Sequence, residues 1–211
     1  MLSVLPATLE ARDLTKRFTG PPLFSGLSFR IESGLLAITG RNGSGKTTLL
    51  KILASLLRPE SGAVHVTRDE RELSGDARRL AVGWAGPDLF FYEDFTAFEN
   101  LLFFHRVAGL GAAAADLESR LGEVGLAEVG TRRVGAFSTG MKQRLRIAFA
   151  LLFDPPILLL DEPMAGLDSE GRAAVQRVVS SRRREGSIVL ASNDSRDFAE
   201  PDRVLELGQE R

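Results

Sequence analysis

The chain has 211 residues, a formal net charge of −1 and no cysteine, with 44% hydrophobic and 26% charged residues. That length supports one compact domain, or one with an added lobe, around a substantial core. Acids and bases are interspersed, so there is no basic surface for a nucleic-acid partner, and without cysteine there are no disulfides or thiolate metal sites, which suits the cytosol.

The first ten residues (MLSVLPATLE) lack a basic region followed by a long apolar run and do not read as a signal peptide. Residues 147–160 are the most apolar stretch, but Asp154, Pro155 and Pro156 break it, short of the roughly 18–20 apolar residues that a spanning helix needs. In chain order, 8–18 and 23–31 read as a strand pair joined by Gly20, Pro21 and Pro22. Residues 35–39 (LLAIT) read as a buried strand, and 47–57 (TTLLKILASLL) place apolar residues at helical spacing.

Between that strand and helix, 40–48 (GRNGSGKTT) match the phosphate-loop pattern G-x-x-x-x-G-K-[ST] at Gly40, Gly45, Lys46 and Thr47. Gly40, Gly43 and Gly45 let the backbone curl so that successive N–H groups face phosphate oxygens. The helix start adds unpaired N–H groups and the positive end of its dipole. Lys46 supplies a mobile charge for the β- and γ-phosphates, and the Thr47 hydroxyl is placed to ligate Mg²⁺. Asn42, Ser44 and Thr48 belong to the same nucleotide-binding set. A chance Gly-rich turn ending in Lys-Thr is the alternative, and the strand–loop–helix context argues against it.

Residues 58–62 (RPESG) read as a turn, 63–67 as a strand, and 82–85 as a return to the core sheet. From about 88 to 137 the composition shifts to aromatics, alanines and glycines at helical spacing, which predicts an inserted helical lobe. Seven aromatics crowd 89–104, Phe90, Phe91 and Phe95 among them. Either all are core, or a few line an exposed groove, since soluble proteins rarely expose large apolar patches without a use. His65 and His105 have no partner spacing for a metal site and read as structural or surface residues. Residues 137–144 (FSTGMKQR) open an amphipathic run to Phe153, with Ser138 as N-cap and Gly140 leaving backbone N–H groups open to an anion.

The aliphatic run 157–160 suits a central parallel strand covered on both faces, and Asp161 and Glu162 follow at its carboxyl end, where ligands of such sheets bind. An acidic pair alone would be an ordinary solvated loop. Paired with the phosphate loop, Asp161 is expected to hold Mg²⁺, directly or through water, and Glu162 to act as general base on the attacking water. Residues 168–185 read as a polar-faced helix ending at Gly186, with Arg182–Arg184 on its solvated face, and 187–192 (SIVLAS) as the last buried strand. There is no internal repeat.

These markers, in this order, resemble the ABC-type ATPases over essentially the whole chain. Residues 137–144 stand where that family has its signature loop (typically L-S-G-G-Q), and 165–168 (AGLD) match its D-loop. Residues 203–207 (RVLEL) match its last strand, and Phe18 in 14–18 (LTKRF) its adenine-stacking aromatic. The resemblance implies an α/β fold: a P-loop nucleotidase core with a mostly parallel sheet, an N-terminal antiparallel β subdomain and an inserted helical subdomain. It implies ATP with Mg²⁺, and a second copy bound head to tail so that Ser138 and Gly140 touch the γ-phosphate in trans. It also implies transmembrane permease subunits encoded separately, with the chain cytoplasmic and peripheral on the inner face of the cell membrane. In the family's transporters the 89–104 region receives a coupling helix of the membrane subunit.

The chain departs from the family at two points. The usual glutamine after 82–84 (VGW) is replaced by Pro87, or Gly86 with a one-residue slip, and the usual H-loop histidine by Asn193. Neither Gly nor Pro has a side chain that ligates Mg²⁺, and an Asn amide hydrogen-bonds the γ-phosphate but carries no proton through the reaction. Thr139 and Met141 are milder changes in the signature. The expected function is the ATP-hydrolysing subunit of an ABC transporter, of small exporter type. Residues 23–29 (LFSGLSF) and 97–106 (AFENLLFFHR) are similar to the haem-exporter ATPases of cytochrome c maturation. The rival expectations are a soluble ABC-type ATPase acting on DNA or ribosomes, and an ATP-binding module with weak turnover.

Overall fold

A computed structural model of the chain describes residues 6–109, 114–197 and 200–208. The N-terminal part alternates along each strand. In β1 (Thr8–Lys16), Leu9, Ala11 and Leu14 turn inward between more exposed neighbours, the pattern of a sheet with one covered face. It pairs antiparallel with β2 (Phe24–Ile31), as the sequence predicts. A parallel strand, β3 (Gly34–Thr39), leads through the phosphate loop into helix α1 (Lys46–Leu53). The strand β4 (Ser61–Arg68) then returns beside β1, and the two-residue β5 (Arg71–Glu72) pairs with it. The antiparallel sheet thus runs β2-β1-β4-β5.

After α2 (Gly75–Ala81) comes β6 (Val82–Ala85). Two helices, α3 (Ala97–Val107) and α4 (Ala114–Glu123), occupy the stretch where a helical lobe is predicted. Thr96 starts α3 with a capping box: its hydroxyl accepts from Glu99 N at 3.1 Å while the Glu99 carboxylate accepts from Thr96 N at 2.8 Å. Helix α5 (Thr139–Ala150), strand β7 (Ile157–Asp161), helix α6 (Ser169–Glu185), β8 (Ser187–Ala191) and β9 (Arg203–Glu206) complete the chain. The second sheet is wholly parallel, in the order β6-β7-β8-β3-β9.

Both faces of that sheet are covered, which is why its strands are continuous apolar runs rather than alternating ones. Leu36, Ile38, Leu159 and Val189 face α1 and the antiparallel sheet, packing with Leu49, Leu53 and Leu9. Leu158, Leu160, Ile188 and Leu190 face the other way, onto Leu145 and Ile147 of α5, Val175 of α6 and Leu117 of α4. Each fully buried leucine contributes about 1.5–3 kcal/mol relative to exposure.

Two expectations need correction, and one stretch without an expectation holds structure. Helix α1 stops at Leu53, not at residue 57, because Ser55 takes a left-handed backbone (φ 61°) and Leu56 is left exposed. Residues 71–81 carry β5 and α2, elements too short for a periodic signal. The arginine run is not a solvated face. Arg182 is only 11% exposed, bonded to Asp154 and, at 3.3 Å, to Glu123, while Arg183 meets Asp202 at 2.7 Å. Acids from α4 and from the turn before β7 reach over the helix and draw these side chains inward. Only Arg184 stands in solvent. Among the described residues no helix is long and apolar enough to cross a membrane.

Candidate active site

The expected nucleotide residues gather at the carboxyl ends of β3, β7 and β8, the edge where parallel sheets bind ligands. The phosphate loop needs its glycines for two different reasons. Gly40 lies at φ 144°, and a Cβ there would sit 2.5 Å from Leu207 O and 2.6 Å from Ser44 Oγ. Gly45, at the N-cap of α1, lies at φ 98°, a conformation that L residues with a side chain rarely hold.

Lys46 is buried, and its ammonium donates to Gly40 O (2.8 Å), Arg41 O (3.3 Å) and Asn193 Oδ1 (2.5 Å). The Asn193 amide therefore lies over the loop, and its Nδ2 donates to Asn42 Oδ1 at 2.5 Å. Thr47 hydrogen-bonds the Asp161 carboxylate. Asp161 is 3% exposed, and burial raises its pKa. Its Oδ1, like Ser44 Oγ, is a buried polar atom without a hydrogen-bond partner. Leaving such atoms unmade costs about 1–3 kcal/mol each, so these two fit a site that a cation and a phosphate complete. Thr48 is half-buried in the first turn of α1.

Glu162 sits just past β7 with a left-handed backbone (φ 47°). Its Oε1 accepts from Asn193 N at 3.0 Å and its Oε2 from Ser192 Oγ at 3.1 Å. Burial raises its pKa, partly offset by the Ser192 hydroxyl and by Lys46, the direction that suits a general base. The same Ser192 hydroxyl lies 2.6 Å from Asp197 Oδ2, so its single proton is shared between the two carboxylates, and Arg172 anchors Asp197 Oδ1 at 2.9 Å. Sequence reasoning did not single out Ser192 or Asp197. They lie just past β8 with no motif of their own, and only the turn after that strand brings them to Glu162.

Ser138 caps α5, its hydroxyl accepting from Met141 N at 3.2 Å, and it is exposed. Gly140 packs so close to the turn after β7 that a Cβ would lie 2.9 Å from Gly166 O. Among the described residues no hydrogen bond joins Ser138 or Gly140 to the phosphate loop of the same chain. Phe18 is exposed, with the Lys16 ammonium 5.0 Å from its ring centroid. No cluster of three or more His, Cys, Asp or Glu suits a metal among the described residues. Mg²⁺ asks for less, since one or two carboxylates with substrate phosphates suffice. His65 Nδ1 lies 2.7 Å from Glu72 Oε1, and the His105 ring 5.3 Å from that of Phe153.

The family described as ABC transporter matches residues 24–165, a span that holds the phosphate loop, the α5 cap and the Asp161–Glu162 pair. The chain belongs to the ABC transporter family. Among the relatives of this ABC protein, the daunorubicin resistance ATP-binding protein DrrA3 of Streptomyces coeruleorubidus is 37% identical over 178 residues, covering 83% of this chain and 56% of its own. The cytochrome c biogenesis ATP-binding export protein CcmA of Brucella abortus is 36% identical over 185 residues, covering 87% of this chain and 84% of its own. The chain therefore spans little more than half of the first and most of the second. Two solved structures share the fold. A bacterial Atm1-family ABC exporter with ATP bound superimposes with a TM-score of 0.81 at 22% identity, over 98% of this chain and 38% of that one. A putative ABC transporter ATP-binding protein from Pyrococcus furiosus gives 0.77 at 20% identity, over 95% and 97%.

Proposed function

We propose that this chain is the ATP-hydrolysing subunit of an ABC exporter, acting as a head-to-tail pair of copies docked on separate membrane subunits at the inner face of the membrane. The observation that carries the reading is the meeting of Lys46, Asn193 and Glu162 over a loop whose neighbours Ser44 Oγ and Asp161 Oδ1 are buried without partners. The relatives include a drug-resistance ATP-binding protein and an ATP-binding export protein, which favours export.

In this reading the loop amides and Lys46 bind the β- and γ-phosphates, and Phe18 stacks on the adenine. Thr47 and Asp161 would hold Mg²⁺, which supplies positive charge against the developing negative charge on the phosphates. Glu162 takes the proton of the attacking water, with Ser192 and the Asn193 N–H fixing its carboxylate. Ser138, exposed at the start of α5, and Gly140 in its first turn serve the γ-phosphate of the partner copy. Only the closed pair contacts each ATP from both sides, so ATP shifts the population toward closure. Residues 88–137 act as a helical subdomain, and its exposed Phe90, Tyr92 and Phe95 follow in the chain on Leu89, which lines a groove of about 750 Å³. Leu56, Trp84, Leu89 and Phe153 line that groove, and the membrane partner docks there.

Glu162→Gln tests the reading. The amide keeps the shape and loses the base, so the variant is expected to bind ATP, to lose steady-state hydrolysis, and to accumulate as a dimer in gel filtration with ATP and Mg²⁺. Hydrolysis at the wild-type rate would remove Glu162 from the chemistry.

A further inference from the structure

Gln143 is one of few polar side chains buried in the described core, 6% exposed on α5. It occupies a helix that begins at the exposed Ser138 cap, yet its amide turns inward. Gln143 Nε2 donates to the backbone carbonyl of Glu162 at 3.2 Å, and its Oε1 accepts from Arg146 Nη1 at 2.9 Å. Arg146, one turn further along α5, donates through Nε to the carbonyl of Leu89 at 3.1 Å. Leu89 belongs to the turn after β6, closed by Leu89 N on Gly86 O at 3.2 Å. Asp88 in that turn pairs with Lys51 of α1, the helix that follows the phosphate loop.

An unbroken hydrogen-bonded path therefore runs from the 86–89 turn to the peptide of Glu162. That peptide is held from the other side as well. Glu162 N donates to Ala191 O at 2.8 Å, and its carbonyl also accepts from Ala165 N at 3.1 Å. A left-handed backbone at a non-glycine residue is strained and persists only where its surroundings over-determine it. The Gln143 amide supplies one of those constraints. It is a demanding device, because truncating Arg146 leaves the amide oxygen of the buried Gln143 unpaired.

We infer that Gln143 and Arg146 are positioning residues for hydrolysis. They fix the backbone of Glu162, and with it the direction of its carboxylate, according to the state of the 86–89 turn. The turn carries Gly86 and Pro87, which have no side chain to reach the nucleotide. Arg146 and Gln143 reach the acid from behind instead, through main-chain carbonyls at both ends. Because the turn borders the groove between α1, β6 and α5, a change in its conformation is transmitted to Glu162 without any contact to ATP. The inference rests on Glu162 being the base.

The experiment is steady-state ATPase kinetics of the full chain with Mg²⁺ and ATP, for Gln143→Met, Arg146→Met, Arg146→Lys, the Gln143→Met/Arg146→Met double variant, and Glu162→Gln as reference. Melting temperatures confirm that each is folded. Gln143→Met is expected to lower kcat about tenfold, the effect of one misdirected contact on the barrier, with KM for ATP within about twofold. Arg146→Met is expected to fall in the same direction, and Arg146→Lys, which keeps charge and one donor, to recover part of the loss. Since the two side chains act in series, the double variant should lose no more than Gln143→Met alone. A folded Gln143→Met with wild-type kcat, or a fully additive double variant, overturns the inference while Glu162→Gln remains inactive. Should Gln143→Met fail to fold, a wild-type kcat in folded Arg146→Met overturns it equally. Activity in Glu162→Gln would instead overturn the site reading beneath it.

Discussion

Asp161 is 3% exposed with Oδ1 unpartnered, and burial pushes its pKa above the ordinary 3.8 despite the Thr47 hydroxyl and Lys46. A raised pKa means that the folded state prefers the protonated acid, so the ionised form costs stability at neutral pH. The cost is full above the folded-state pKa and disappears as pH falls below the ordinary value. Asp161→Asn removes the charge and keeps the shape. Without nucleotide it is expected to raise the melting temperature by about 2–4 °C at neutral pH, while ATP no longer stabilises it as it does the wild type. Thermal melts with and without ATP and Mg²⁺ check both halves, and an unchanged or lower melting point removes the strain from Asp161. Asn193 presents the complementary case. Its amide bridges Lys46 and Asn42 but offers no titratable group. Activity should therefore lack a histidine-like transition near about 6.5. Asn193→His keeps an acceptor for Lys46 on one ring nitrogen and adds a proton carrier. Turnover is expected to rise about tenfold, equivalent to ~1.4 kcal/mol of barrier. A variant with no gain would mean that the amide already does what the imidazole would do.

At the scale of elements, the periodic and motif-bearing pieces were legible and the tertiary pairings were not. Residues 35–39 and 157–160 announce buried strands because nothing but apolar side chains suits a sheet covered on both faces, and Ser138 and Gly186 mark helix ends by their backbone chemistry. The glycines, Lys46 and the acidic pair were readable because phosphate binding fixes their spacing along the chain. Ser192, Asp197 and the inward turn of Gln143 were not, since each takes its role from a partner at least five residues away that only the fold supplies. Arg182 illustrates the same limit. In a run of three arginines on a polar helix it reads as solvated, yet Asp154 and Glu123 surround it, tying α6 to α4 and to the turn before β7. Burial works against its charge, and the two acids more than offset that, leaving its pKa raised. Arg182→Met removes one of the two arginines, with Arg120, that hold both acids, and is expected to cost about 1–3 kcal/mol in urea unfolding, between a surface pair and a fully buried one. Arg184→Met, on the exposed side, should stay within about 0.5 kcal/mol. Equal effects would return Arg182 to the solvated face.

At the scale of the whole molecule, the seven aromatics of 89–104 divide between core and surface, and that division bears on the proposed docking face. Phe91 packs edge-on against Phe104 and Phe149, with centroids at 6.5 and 6.2 Å, and belongs to the core shared by α3 and α5. Phe90 is 77% exposed and Phe95 39%, and Tyr92 lies against both Phe95 and Phe103 at 5.3 and 5.2 Å. Tyr92, Phe95 and Phe103 pack on one another and, with the exposed Phe90, make this segment strongly apolar at the surface, which marks an interaction surface more often than a solvent face. Phe90→Ser and Phe95→Ser remove apolar area from that surface without opening the core. The isolated chain should keep its ATP affinity, turnover and melting temperature, whereas co-purification with its membrane subunit, or stimulation of turnover by that subunit in vesicles, should fall about tenfold for the pair, as loss of a buried aromatic anchor does at interfaces. Phe91→Ser should behave oppositely, lowering the melting temperature by leaving a cavity where a ring packed. If the Phe90 and Phe95 variants bind and respond to the membrane subunit as the wild type does, the partner docks on another face, and these rings are surface residues without that role.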